Sequence, residues 1–316
     1  MTMESESTSA IVGKAGTGVS TIKHRQLDAF TRPPRSPWQL AWTRFKRAKL
    51  AIGGTIVFLI FIFAAIFAAQ IAPYGKNEID LFSIKVSPGT GNHLLGTDEL
   101  GRDVLSRLLF GARLSLWIGT GAALVSTVVG LILGAIAGYY GGWVDGLMMR
   151  FVDLMLAFPS IFLLLVFFSV RGRNSVSWVI ILLGLFGWMW LARIIRGEFM
   201  SLKQRDFIEA ARMIGAKNSR IIFRHLMPNV TAAIIVSTTL NIAYYMLSES
   251  ALSFLGFGVP TGTPTWGNML NGSKSSYLTS PWLAIAPGLT LTIAVLAINF
   301  IGDGLRDAFD PKGSTR

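Results

Sequence analysis

Six apolar runs divide this chain, and the polar stretches between them differ in character. The first run, Leu50–Ala72, has 23 residues and no charge. As a helix it covers about 35 Å, enough to cross a bilayer. Its apolar core exceeds the roughly 7–15 residues of a cleaved signal peptide and starts late, so it reads as a retained helix. Pro73 closes it. The polar stretch 73–112 precedes a second run, about Leu114–Tyr139. A short link, Tyr140–Arg150, leads to a third, about Phe151–Val170, where Pro159 predicts a kink or a late start. The fourth covers Val176–Leu191, the fifth about Val230–Leu247 and the sixth about Trp282–Ile301. The pattern predicts an all-α polytopic membrane protein with six transmembrane helices.

Composition supports this class. Hydrophobic residues make up 52% of the chain and charged residues 15%, against roughly 25% charged in soluble domains. A soluble protein could not wet its surface with so few charges. Without cysteine, disulfides and thiolate metal sites are excluded. The net charge of +12 suggests nucleic acid, but its distribution suits a membrane better. Alternate loops divide the 29 Lys and Arg as 21 on the side of both termini and eight on the other, which places the termini and residues 193–229 in the cytosol. The expected division is a disordered cytosolic tail (1–37), a basic interfacial helix (38–49), the first span (50–72) and an extracytoplasmic loop (73–112). A core domain with five spans and a cytosolic loop at 206–228 (113–306) and a cytosolic tail (307–316) complete it.

That cytosolic loop, DFIEAARMIGAKNSRIIFRHLMP, is the most unusual stretch. Asp206 is positioned to cap a helix, with Glu209 reaching back in a capping box. Gly215 suits a left-handed helix end. Asn218 or Ser219 can cap a second short helix, and Pro228 marks the return to the membrane. Phe207, Ile208, Ala211, Ile214, Ile221, Ile222 and Leu226 could form an apolar knob ringed by Arg212, Arg220 and Arg224. Such a knob suits a groove on a soluble partner; the alternative is a helix pair lying on lipid headgroups.

The order Glu209-Ala210-Ala211, then Gly215 and Pro228, resembles the EAA loop of ABC importer permeases. The usual pattern has Ile three residues and Leu one residue before the proline, where this chain has His225 and Met227. His93–Leu116 (HLLGTDELGRDVLSRLLFGARLSL) and Ser248–Leu270 (SESALSFLGFGVPTGTPTWGNML) resemble the dipeptide/oligopeptide/nickel branch, in particular its second, C-type permease. The resemblance implies a type I ABC importer permease fold, in the cell (inner) membrane of a bacterium or archaeon. It implies that Asp206, Glu209, Ala210, Ala211, Gly215, Arg220, Arg224 and Pro228 couple to ATPase subunits. The implied partners are a homologous permease in a heterodimer, two cytosolic ATPase subunits and an extracytoplasmic solute-binding protein. ATP and Mg would sit on the ATPase subunits and no cofactor on this chain. The solute would be a di- or oligopeptide, with nickel or another small solute as the alternative.

Other constellations keep two readings each. Gly130, Gly134 and Gly138 share one helical face and allow close helix packing, or a gate. Asp98, Glu99, Arg102 and Asp103 lie at the outer mouth. They mark binding-protein docking or a solvated face, with Asp98 and Arg102 spaced to pair on a helix. Asn241 and Glu249 fall on or near the fifth span, along a translocation path or at a helix end. No catalytic or metal constellation emerges: His24, His93 and His225 are far apart, and no G-x-x-x-x-G-K-[ST] loop occurs. The rivals, an intramembrane enzyme and a gradient-driven carrier, lack the residues their chemistry needs.

Overall fold

The structure, a computed structural model, describes residues 36–171 and 175–310. The tails expected at 1–37 and 307–316 fall mostly outside these residues. Among the described residues no strand forms, only isolated bridges at Thr90–His93 and Thr97–Asp103. Helix α1 (Pro37–Phe45) carries exposed Trp38 and Trp42.

The first span is α2 (Lys49–Ile66), followed after a break at Phe67 by one turn, α3 (Ala68–Ile71). Helix α4 (Val104–Tyr140) runs 37 residues. It begins well before the expected Leu114, because Asp103 caps it by accepting from the Ser106 N–H at 2.7 Å. Val104, Leu108, Ala112 and Leu116 recur every four residues and are buried, so tertiary packing holds the early turns helical despite Arg107 and Arg113.

The link 140–150 is also helical. Gly141 and Gly142 take positive φ, 67° and 55°, and make the turn from which α5 (Gly142–Ala157) departs. Phe158, extended before Pro159 (φ −95°, ψ 130°), separates α5 from α6 (Ser160–Arg171), and the pair is bent by 77°. Helices α7 (Val176–Leu185) and α8 (Met189–Lys203) form a second bent pair, at 44°. Then come α9 (Asp206–Met213), α10 (Asn218–Arg220), a π turn (Ile221–Leu226), α11 (Met227–Leu255), α12 (Trp266–Gly272) and α13 (Trp282–Phe309). Among the described residues four helices are long and apolar enough to cross a membrane, and up to six spans result if each bent pair is taken as one.

Helix α4 is the central element, packed against α2, α7, α8 and α11. Its first turns join an apolar cluster with Met246, Trp266 and Leu283. Its last turns join another, in which Ala135 and Tyr139 meet Ile195, Phe199, Ile208, Ile221 and Leu226. The chain thus has one end built around 74–108 and 256–282, and an opposite end built around 206–228. Gly130, Gly134 and Gly138 face α8: a Cβ on each would come within 2.9, 2.5 and 2.7 Å of the carbonyls of Trp188, Ala192 and Arg196. Only hydrogen at these three positions lets the two backbones approach this closely.

Candidate functional site

Three of the expected sites hold their shape by identifiable bonds. In the 206–228 segment the helix cap lies one residue earlier than expected. Arg205, extended at φ −85° and ψ 144°, is the N-cap, and its carbonyl accepts from Ile208 and Glu209 N–H at 2.9 and 3.4 Å. No side-chain cap bond forms, so the Asp206 cap and the Glu209 capping box are absent. Both carboxylates instead occupy the first turn, where the helix dipole favours negative charge, and both are exposed.

The glycine turn is where the sequence places it. Gly215 has φ +77°. Its N–H bonds the Arg212 carbonyl at 2.9 Å and the Ala216 N–H bonds the Ala211 carbonyl at 3.0 Å. This is the complete paired closure of a Schellman helix end.

The second arm differs from expectation. Lys217, not Asn218 or Ser219, is its N-cap. Pro228 does not end a short helix, since Met227 stays helical at φ −54° and ψ −45°. Its N–H reaches five residues back to the Ile222 carbonyl. The widened π turn accommodates a proline that has no N–H to give, so the second arm runs unbroken into α11.

The expected apolar knob divides in two. Ile208, Ala211, Ile221 and Leu226 point inward and are buried. Phe207, Met213, Ile214 and Phe223 point outward, with Met213, Ile214 and Phe223 exposed by 85, 86 and 69%. Arg205, Arg212, Lys217, Arg220 and Arg224 are exposed around them, as is Ala210. Met213 and Phe223 were not singled out from sequence, although helical spacing from the inward set identifies them. The segment thus exposes four large apolar side chains and five cations.

At the opposite end, Asp98 and Arg102 pair at 2.7 Å, but in a turn and not on a helix. Asp98 Oδ1 accepts from the N–H groups of Leu100 and Arg102 at 2.9 and 3.0 Å, and Gly101 at φ +74° closes the turn. Glu99 accepts from Ser275 at 2.7 Å and from Ser276, and pairs with Lys85 at 3.2 Å. The two hydroxyls, with Lys85, hold its carboxyl below the usual carboxylate range, against a smaller opposing effect of burial. Asp98, Glu99 and Arg102 line a cavity of about 440 Å³ with Arg107, Asn268 and Asn271. Asp103 does not belong to this surface. It is buried, caps α4 and bonds His93 Nδ1 at 3.0 Å.

Glu249 lies within α11, fully buried in this chain, and so is neither at a helix end nor open to a path here. It accepts from Ser253 at 2.7 Å and Ser250 at 3.4 Å. Ser253 also receives the Val259 N–H at 3.3 Å, which folds loop 256–265 back over the carboxylate. Asn268 secures that loop by donating to the carbonyls of Val259, Pro260 and Thr263. Trp266 fixes α12 to α4 through Ser115 and the Leu108 carbonyl, each at 3.2 Å. Sequence reading missed Asn268; the Thr265 cap three residues before it, bonded at 3.1 Å, is the signal that reveals it. Asn241 is half-buried on α11.

Comparison with known proteins agrees with this architecture. Residues 130–314 match the family described as binding-protein-dependent transport system inner membrane component. Residues 36–88 match the N-terminal transmembrane domain of oligopeptide transport permease C. The dipeptide transport system permease protein of Alkalihalophilus pseudofirmus is 42% identical over 281 residues, covering 88% of this chain and 90% of that protein. The glutathione transport system permease proteins of Pectobacterium atrosepticum and Shigella sonnei are 39% and 42% identical over 279 residues. Each alignment covers 88% of this chain, with 92% and 91% of the relatives.

Proposed function

The chain belongs to the family of binding-protein-dependent transport system inner membrane components, and from that premise we propose that it is one half of the translocation path of an ATP-driven peptide importer. Importers of this kind work with ATPase and binding-protein partners. A homologous permease completes the path, two cytosolic ATPase subunits hold ATP and Mg, and an extracytoplasmic protein delivers the solute. Relatives named for dipeptide and glutathione transport support a di- or oligopeptide solute. The chain itself carries no catalytic step.

The carrying observation is the outward side of 206–228: Phe207, Met213, Ile214 and Phe223 are exposed together with five cations, on a helix end closed at Gly215. An apolar surface this exposed, with polar margins, fits a groove on a soluble subunit. Asp206, Glu209, Arg220 and Arg224 supply charge at its edge, the exposed Ala210 permits close approach, and the buried Ala211 seats the helix on the spans. In this assignment 206–228 and both termini are cytosolic, and the turn at Asp98, Glu99 and Arg102 faces the binding protein. Asn241, on the half-buried face of α11, lines the path.

Affinity purification of the chain from its own membranes tests the assignment. ATPase subunits should co-purify, and Phe207→Asp with Ile214→Asp should release them. Recovery of the chain without an ATPase overturns the coupling role. Orientation is read by cysteine labelling: Leu278→Cys, 82% exposed, should react from outside and Ser219→Cys only after permeabilisation. The reverse pattern inverts the topology.

A further inference from the structure

Segment 206–228 meets the spans in two ways. Apolar side chains, Ile208, Ile221 and Leu226, rest against Ala135, Tyr139 and Phe199. Contacts of this kind are non-directional and tolerate sliding. Among the described residues, one hydrogen bond between side chains fixes register: the Tyr139 hydroxyl donates to Asn218 Oδ1 at 2.8 Å. Tyr139 is the last residue but one of α4. Its carbonyl accepts from Lys203 Nζ at 2.6 Å, at the end of α8, and the same ammonium lies 5.7 Å from the centre of its ring. One residue therefore ties the ends of α4 and α8 to the first residue of the second arm.

The position of Asn218 gives this bond its meaning. It lies on the α9 side of the π turn, while α11 lies on the other. π turns are short and uncommon, and they occur where helices bend or function. A push on α9 could be absorbed there, leaving α4 where it was. We propose that the Tyr139–Asn218 bond is a positioning contact that carries displacement of the docking surface into the α4–α8 pair. This rests on the coupling role proposed above.

The test uses the assembled importer with its ATPase subunits and binding protein, reconstituted in vesicles, with a radiolabelled dipeptide as solute. Transport and ATP hydrolysis are measured together, and the readout is solute moved per ATP. Tyr139→Phe and Asn218→Ala should each lower that ratio roughly two- to tenfold, the factor equivalent to one net hydrogen bond. Asn218→Asp, which still accepts from the tyrosine, should restore it. The double variant Tyr139→Phe/Asn218→Ala should be no worse than the poorer single one. An unchanged ratio in both single variants overturns the proposal. So does an Asn218→Asp variant as impaired as Asn218→Ala, or single effects that add. Failure of the wild-type chain to retain ATPase subunits sinks the coupling role itself, whereas normal retention with an unchanged ratio sinks only this contact.

Discussion

Adding a single methyl group at Gly134 should separate two helices. A Cβ there would stand 2.5 Å from the Ala192 carbonyl oxygen and 2.9 Å from Ile195 Cβ. Carbon atoms in favourable contact stand about 3.5–4.0 Å apart, so α8 must withdraw by roughly 1 Å along its tightest line. Overpacking on this scale costs about 1–3 kcal/mol, and replacing a helical glycine by alanine recovers up to about 1 kcal/mol. The expected net loss for Gly134→Ala is about 1–2 kcal/mol. Gly138→Ala, with Arg196 O and Phe199 Cβ both 2.7 Å away, should match it, and Gly130→Ala, whose nearest contacts are 2.9 and 3.1 Å, should lose less. Gly197→Ala is the control, because no atom lies within 4 Å of its Cβ; it should be neutral or slightly stabilising. Reversible unfolding of the purified chain in mixed micelles, followed by near-UV circular dichroism, ranks the four. A Gly134→Ala variant as stable as Gly197→Ala would show that the glycine face is not close-packed.

Four further outcomes are expected. Gly215→Val should lose ATPase retention while the spans still insert: its site is open, so the penalty is the roughly 1–2 kcal/mol of left-handed backbone, and Gly215→Asn should lose least. Glu209→Lys should weaken coupling yet alter stability by less than about 1 kcal/mol, because the carboxylate acts on the helix dipole and not as a cap; a larger loss in thermal unfolding would restore the capping role. Glu249→Ala strands two serine hydroxyls and empties a buried volume, so it should cost about 2–4 kcal/mol, with Glu249→Gln milder; equal melting temperatures for the two would contradict this. The Glu99 carboxyl has a lowered pKa, so its bonds to Ser275 and Ser276 stabilise above the ordinary carboxylate value of about 4.3 and are lost as pH falls beneath it. The protection factors of amides in 273–280, taken relative to the intrinsic exchange rate at each pH, should fall below roughly pH 4 in wild type and be flat with pH in Glu99→Gln; identical profiles refute the attachment.

The spans were legible because uninterrupted apolar runs admit few alternatives, and Gly215 was legible because few residues other than glycine suit its φ. Features decided at a distance were not. The start of α4 fell in the polar stretch 73–112, although the four-residue rhythm from Val104 to Leu116 was present; what commits those turns to helix is packing against Trp266, which bonds the Leu108 carbonyl from 158 residues away. Glu249 read as a polar residue along a path or at a helix end. Its burial depends on loop 256–265 folding over Ser253, which Asn268 arranges. The capping box at Asp206 and Glu209 fits the sequence pattern, yet extended backbone at Arg205 moved the cap by one residue. Pro228 read as a terminator because local rules favour a break, and a π turn supplied the alternative.

The length of α4 has a mechanical corollary. Its 37 residues span about 55 Å as a straight helix, well beyond the roughly 30 Å of hydrocarbon in a bilayer. Both tips are gripped, one by Asp103 and Trp266, the other by Lys203 and Asn218. A rod of that length pivoting by only 5° about one tip sweeps the other through about 5 Å, close to one helical turn. A tilt of a few degrees is therefore large enough, at the far end, to trade one set of side-chain neighbours for the next.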